Sequence, residues 1–278
     1  MKKALVLGAS GQLGGCFRRQ APKFPGLEMC FVSSEEMDLS LFGAVDAFFA
    51  RNSFDYCINC AAYTNVERAE QEKEMAYLIN AEAVKNLARI CRAAGCILVH
   101  FSTDYVFDGL KGSPYLEDDE PNPLNVYGQS KLAGEDLVRQ IMSDYYILRT
   151  SWLYSDLGRN FFNMVRSRAG SGEKLGITTA QVGTPTSADD LALFVLKILS
   201  EDIGHFGVYH YSNLGTATWY EFASEILGNM RQKALLYENN DFKTQAERPE
   251  YSVLSKEKTL STFGIPIAHW QESMQQYF

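Results

Sequence analysis

The chain has 278 residues, 46% hydrophobic and 22% charged, ordinary for a soluble globular protein and enough for one large domain or two interleaved ones. A net charge of −8 and a pI near 5.1 argue against a nucleic-acid or anionic-membrane surface, so an anionic ligand must be met by a local cluster of donors. Met1-Lys2-Lys3 and the short apolar run after it faintly imitate a signal peptide, but the run stops at Gly8 and Arg18-Arg19 follow. No stretch approaches a membrane span, and the expected location is the cytoplasm.

Lys3-Ala4-Leu5-Val6-Leu7 is fit for a buried strand. Gly8-Ala9-Ser10-Gly11-Gln12-Leu13-Gly14 follows at once, and a helix is expected from there. Glycines here allow a tight turn and close approach of backbone to a pyrophosphate, with the helix N-terminus facing the negative charge. The spacing is G-x-x-G-x-x-G, not the simplest G-x-G-x-x-G.

Further strands are expected over 27–32, 55–60, 96–101 and 145–149, and helices near 12–20, 40–51, 74–94 and 126–142. Such alternation predicts an α/β, Rossmann-like, doubly wound parallel sheet with right-handed crossovers. Ligands then bind outside the C-terminal strand ends, which places Gly8, Ala62, Ser102-Thr103 and Thr150-Ser151 along one crevice. Residues 107–125 form a long loop rich in Gly, Pro and acid, of a length that is usually functional or mobile. After about residue 150 the alternation loosens and aromatics crowd in, among them Trp152, Tyr154, Tyr209, Tyr211, Trp219 and Tyr220. Most suit a core, and a few suit a sugar or base pocket. The expected division is an NAD(P)-binding domain over 1–150 and a smaller C-terminal substrate-binding lobe over 151–278, partly interleaved with it.

Cys57-Ile58-Asn59-Cys60 has redox or zinc spacing. On a strand, however, residues three apart point to opposite faces. Buried free thiols are the better reading, and no metal site is expected from the scattered histidines.

Tyr127 and Lys131, in Asn125-Val126-Tyr127-Gly128-Gln129-Ser130-Lys131, lie four apart on a helix and share a face. A phenol has an ordinary pKa near 10, and a neighbouring ammonium lowers it, which makes tyrosine useful in proton transfer. Ser102-Thr103-Asp104 ends the fourth strand, where a hydroxyl can bond a substrate oxygen beside Tyr127. Alternatively these residues cap a strand-to-loop turn.

Glycine-rich turn, hydroxyl-bearing strand end and Tyr-x-x-x-Lys together resemble the extended short-chain dehydrogenase/reductases. Longer strings resemble the dTDP-4-dehydrorhamnose reductases among them: Ser102 through Gly109, Asn122-Pro123-Leu124-Asn125, Lys131-Leu132-Ala133-Gly134-Glu135, Arg149-Thr150-Ser151-Trp152 and Arg248-Pro249. That resemblance covers nearly the whole length. It implies reduction of the C4 ketone of dTDP-4-dehydro-L-rhamnose, with Thr103, Tyr127 and Lys131 catalytic. It implies cofactor contacts at Gly11, Gln12, Leu13, Asp38, Leu39, Ala62, Tyr63 and Thr64, besides Tyr127 and Lys131, to which the glycine-rich turn adds Gly8 and Gly14, and substrate contacts at Thr103, Asp104 and Trp152. NADPH is the expected cofactor, with NADH also accepted, because Ser33 at the end of the second strand is neutral. The expected partner is a nucleotide-sugar substrate, and the chain is expected to be a monomer or homodimer.

Departures exist. Ala180 stands where relatives often have Asp, Ser255 follows Ser-x-Leu where Asp is common, and Cys16 takes the place of a glutamate that in some relatives binds Mg²⁺ between subunits. Rival readings are another nucleotide-sugar reductase, dehydratase or epimerase of the superfamily, and a catalytically silent subunit resembling the β subunit of methionine adenosyltransferase. Tyr105 after Asp104 removes the acidic pair of the dehydratases, and retention of Thr103, Tyr127 and Lys131 argues against silence.

Overall fold

A computed structural model describes residues 1–230, 235–241 and 244–278. The first half runs β1 (Lys2–Leu7), α1 (Gln12–Gln20), β2 (Leu27–Val32), α2 (Phe42–Arg51), β3 (Tyr56–Asn59), α3 (Val66–Ala69), α4 (Lys73–Tyr77), a π-turn (Leu78–Glu82), α5 (Ala83–Ala94), β4 (Ile97–Thr103), α6 (Val126–Ile141) and β5 (Tyr145–Thr150). The second half runs β6 (Leu153–Tyr154), α7 (Phe161–Gly170), β7 (Leu175–Ile177), β8 (Val182–Gly183), β9 (Thr186–Ser187), α8 (Ala188–Ser200), β10 (Gly207–His210), β11 (Ala217–Thr218), α9 (Trp219–Asn229), β12 (Leu236–Glu238), α10 (Glu257–Phe263) and α11 (Trp270–Met274).

Six strands form one parallel sheet in the order β2-β1-β3-β4-β5-β10. The strands are apolar because both faces are covered. On one face α1 and α8 pack through Cys16, Phe17, Leu191 and Val195. On the other, α5 and α6 pack through Val84, Leu87, Cys91 and Val138. Helix α5 shows the cause of such packing: its buried residues Val84, Leu87, Ala88 and Cys91 recur at helical spacing, and Gly95 at φ 64 ends it. A third core joins α7, α9 and α11 through Phe162, Phe222 and Trp270.

The helix expected over 74–94 runs on through the π-turn without a gap. Two strand bounds are corrected. The strand expected over 55–60 stops at Asn59, and the one expected over 96–101 extends through Thr103. Helix α8 and strand β10 belong to the sheet layer although they follow residue 150: β10 pairs in parallel with β5, Val208 opposite Ile147. The 107–125 loop is pinned: Phe107 stacks on Tyr115 at 4.2 Å, and the Tyr115 amide donates to the Val253 carbonyl. Among the described residues no helix is long and apolar enough to cross a membrane. All six cysteines are free, with Cys57 packed on one face of the sheet and Cys60 on the other.

Candidate active site

The strand order reverses between β1 and β3, and a cleft of about 970 Å³ opens at their C-terminal ends, where doubly wound sheets take ligands. That volume lies near the top of the range for small-molecule and cofactor clefts. Gly8 turns the chain out of β1 at φ 71, and a Cβ there would lie 2.8 Å from the Ala61 amide nitrogen. Gly11 is the N-cap of α1 and offers no side chain to cap it. The first amides of α1 are therefore free to meet an anion, and the residues present fit a dinucleotide pyrophosphate.

Gly8, Gly11, Gln12, Leu13, Asp38, Leu39, Ala62, Tyr63, Thr64, Thr103, Asp104, Tyr127, Lys131 and Trp152 all line this cleft. Gly14 does not: it is buried beneath the turn, and a Cβ there would lie 2.5 Å from the Gly8 carbonyl oxygen. Ser33, expected beside a ribose phosphate, is held in a reciprocal bond with Glu36, its amide donating to Oε2 at 2.7 Å. Ser34 lines the cleft instead.

Tyr127 is fixed by how α6 begins. Asn125 caps the helix, accepting from the Gly128 amide at 2.8 Å, and the Val126 amide donates to Glu70. Gly128 lets α6 press on the turn after β4, since a Cβ there would come within 2.2 Å of the Tyr105 carbonyl oxygen. Lys131 donates to the Phe101 carbonyl at 2.5 Å and lies 3.4 Å from His100 Nε2. The Thr103 hydroxyl donates to Asp104 Oδ1 at 3.1 Å.

The expectation that Lys131 lowers the Tyr127 pKa is not met. Burial pushes the phenol up to about 12, the neighbouring Thr103 pulling the other way and the Asp104 charge adding to the rise. Burial also pushes Lys131 down to about 8 against the opposing pull of Glu135. Desolvation dominates at both groups, and neither figures among the influences on the other. The tyrosine is thus a proton holder at neutral pH, the form that gives a proton away. Burial raises Asp104 to about 7 and, with the Lys131 charge beside it, holds His100 well below its ordinary value.

Sequence reasoning missed the supports. Asn80, in the π-turn, accepts from the Tyr63 amide at 2.9 Å and donates to Ser130 on α6 at 3.0 Å, tying the 61–64 loop to the tyrosine helix. Asn160, N-cap of α7, donates to Gln12 at 2.7 Å. Trp152, at φ 45, stacks on Trp219 with centroids 3.6 Å apart and planes 9° apart, and Phe161 packs tilted against Trp219 at 4.6 Å. Aromatic crowding was the signal available for that wall. None was available for Asn80, because a π-turn has no distinctive spacing.

Fold and cleft define a Rossmann-like protein with a doubly wound parallel sheet and a ligand cleft at its strand ends. Residues 1–278 match the family model described as the RmlD substrate binding domain, and the chain belongs to that family. It is 37% identical over 279 residues to the spore coat polysaccharide biosynthesis protein SpsK of Bacillus subtilis (strain 168), covering 100% of this chain and 97% of that protein. It is similar to the crystal structure of a dTDP-4-dehydrorhamnose reductase, an RfbD ortholog, from Clostridium acetobutylicum, with a TM-score of 0.94, 38% identity and coverage of 99% and 98% of the two chains. The dTDP-4-dehydrorhamnose reductase of Bacillus anthracis, solved in complex with NADP, also gives a TM-score of 0.94, at 32% identity and coverage of 100% and 98%.

Proposed function

We propose that the chain reduces the C4 ketone of dTDP-4-dehydro-L-rhamnose to dTDP-L-rhamnose with NADPH. The observation that carries this is the convergence of Thr103, Tyr127 and Lys131 in one cleft with the Gly8–Gly11 turn. Whole-length likeness to reductases of that name supports the substrate.

Bound NADPH would supply the hydride. The amides after Gly11 would hold its pyrophosphate, Asp38 and Leu39 its adenosine half, and residues 62–64 the stretch toward the nicotinamide. Lys131 would hold the nicotinamide ribose. Tyr127 gives its proton to the substrate oxygen, Thr103 bonds that oxygen, and Asp104 and Trp152 hold the sugar. Residues 1–150 bind the cofactor and most of 151–278 close over the substrate, with α8 and β10 returned to the first layer. Six free cysteines suit the reducing cytoplasm.

The test is to incubate the protein with NADPH and a panel of 4-keto nucleotide sugars and follow loss of nicotinamide absorbance. Turnover of the dTDP-4-dehydro-L-rhamnose sample above the rest is expected. Cofactor binding without turnover of any of them would favour the silent-subunit reading.

A further inference from the structure

A threonine hydroxyl has one proton and two lone pairs. The Thr103 proton goes to Asp104 Oδ1 at 3.1 Å, and one lone pair takes the Tyr105 amide at 3.2 Å. In this arrangement Thr103 has nothing left to donate to a carbonyl oxygen in the cleft. Asp104 is 2% exposed, and its Oδ2 is buried with no well-formed hydrogen bond, the Ser252 side chain being the nearest group to offer one. An ionised carboxylate with one oxygen poorly satisfied away from water is costly, and taking up a proton lessens that cost because a neutral carbonyl oxygen is cheaper to bury than a charged one. A carboxylic acid turned with its O–H toward Thr103 makes the threonine an acceptor there and frees the threonine proton for the cleft.

We propose that Asp104 sets the hydrogen-bond direction of Thr103: ionised, it holds the threonine proton, and protonated, it releases Thr103 to donate to the substrate oxygen. Asp104 is then a positioning residue acting through Thr103, and the proposal rests on the carbonyl-reductase reading above. Burial raises the carboxyl to about 7, so the change of direction falls near neutrality. The groups facing it are Thr103 and Tyr105 on its own turn, Ser252 from the C-terminal segment and Tyr127 on α6, with Arg248 against Tyr105. Both tyrosines are shifted upward and keep their protons through that range. Lys131, pushed down to about 8, is the neighbour whose titration must be told apart.

Asp104→Asn keeps the shape, offers both a donor and an acceptor, and does not titrate. Wild-type turnover of the 4-keto nucleotide sugar is expected to fall about tenfold per pH unit above the Asp104 midpoint, as for a reaction needing one protonated group. The Asn variant, whatever its rate below that midpoint, is expected to lose the falling limb. A limb that persists in the variant belongs to Lys131 and overturns the proposal. Infrared difference spectra of the wild type without substrate give a second readout: a carboxylic C=O band titrating near neutrality is expected, and its absence overturns the proposal even if the variant fails to fold. Wild type that leaves NADPH unoxidised at every pH sinks the reductase reading itself, an outcome distinct from a misplaced limb.

Discussion

Tyr127→Phe removes one oxygen and leaves the ring. That ring lies edge-on to Tyr105 at 6.1 Å, and the helix beneath it is pinned through Asn125 and Glu70, so the fold and the cofactor end of the cleft are expected to be unchanged. Burial holds the phenol at about 12, so nearly every molecule carries the proton at pH 7 and the tyrosine contributes no falling limb until pH approaches that value. Loss of a positioned acid lowers the rate by about 10²–10⁴, equivalent to roughly 3–5.5 kcal/mol of barrier. Single-turnover mixing with NADPH and the 4-keto sugar, read by nicotinamide absorbance, measures the chemical step, and fluorescence titration measures NADPH binding. A Phe variant that turns over like wild type would show that another group delivers the proton. A variant with equal losses in binding and rate would show that the ring position, not the hydroxyl, was disturbed.

Lys131→Met is expected to weaken NADPH binding as well as turnover; unchanged cofactor affinity would remove its ribose contact. Glu135→Gln strips the charge partner from Arg149, whose guanidinium is buried and bonded to both Glu135 oxygens at 2.8–3.1 Å. Breaking such a pair costs about 3–5 kcal/mol, and thermal unfolding is expected roughly 6–15 °C lower; a shift of about 1 °C would refute it. For Asp104, the folded carboxyl at about 7 stands above its ordinary 3.8. The native state therefore binds the proton more tightly, and stability falls as pH rises from about 4 through 7, by at most about 4 kcal/mol. Urea titrations at stepped pH should show this fall in wild type and not in Asp104→Asn, and equal slopes would count against it. The Arg18 guanidinium lies 4.4 Å from the Phe31 ring centroid near the end of β2. Arg18→Ala is expected to lower the NADPH-to-NADH ratio of kcat/KM, and an unchanged ratio would exclude Arg18 from the 2′-phosphate site.

The first five strands could be read because each is a short apolar run closed by a turn signal, and because ligands gather at parallel strand ends. Tyr127 and Lys131 could be read because helical spacing alone puts them on one face. Helix α8 was not anticipated: residues 191–199 are apolar nearly all round, which erases the periodicity that marks a surface helix. Strand β10 has four residues and no alternation of its own, and only its pairing with β5 defines it. The pKa directions at Tyr127 and Lys131 were invisible for a different reason. Sequence gives the neighbour four residues away, while burial is set by every element that closes the cleft.

The return of α8 and β10 to the sheet has a consequence for how the protein is made. The chain leaves the first layer after β5, builds β6 to β9, comes back for α8 and β10, and leaves again. A ribosome that has released only residues 1–150 exposes an unpaired β5 edge and an apolar face that Leu191 and Val195 will later cover. Such long-range closure slows folding, and it predicts that a fragment ending near residue 150 aggregates instead of folding alone. The same path governs evolution by recombination. A lobe cannot be exchanged at a single junction, so a new sugar specificity must arise by substitution within the aromatic wall of Trp152, Phe161 and Trp219, or by coordinated replacement of two separated segments.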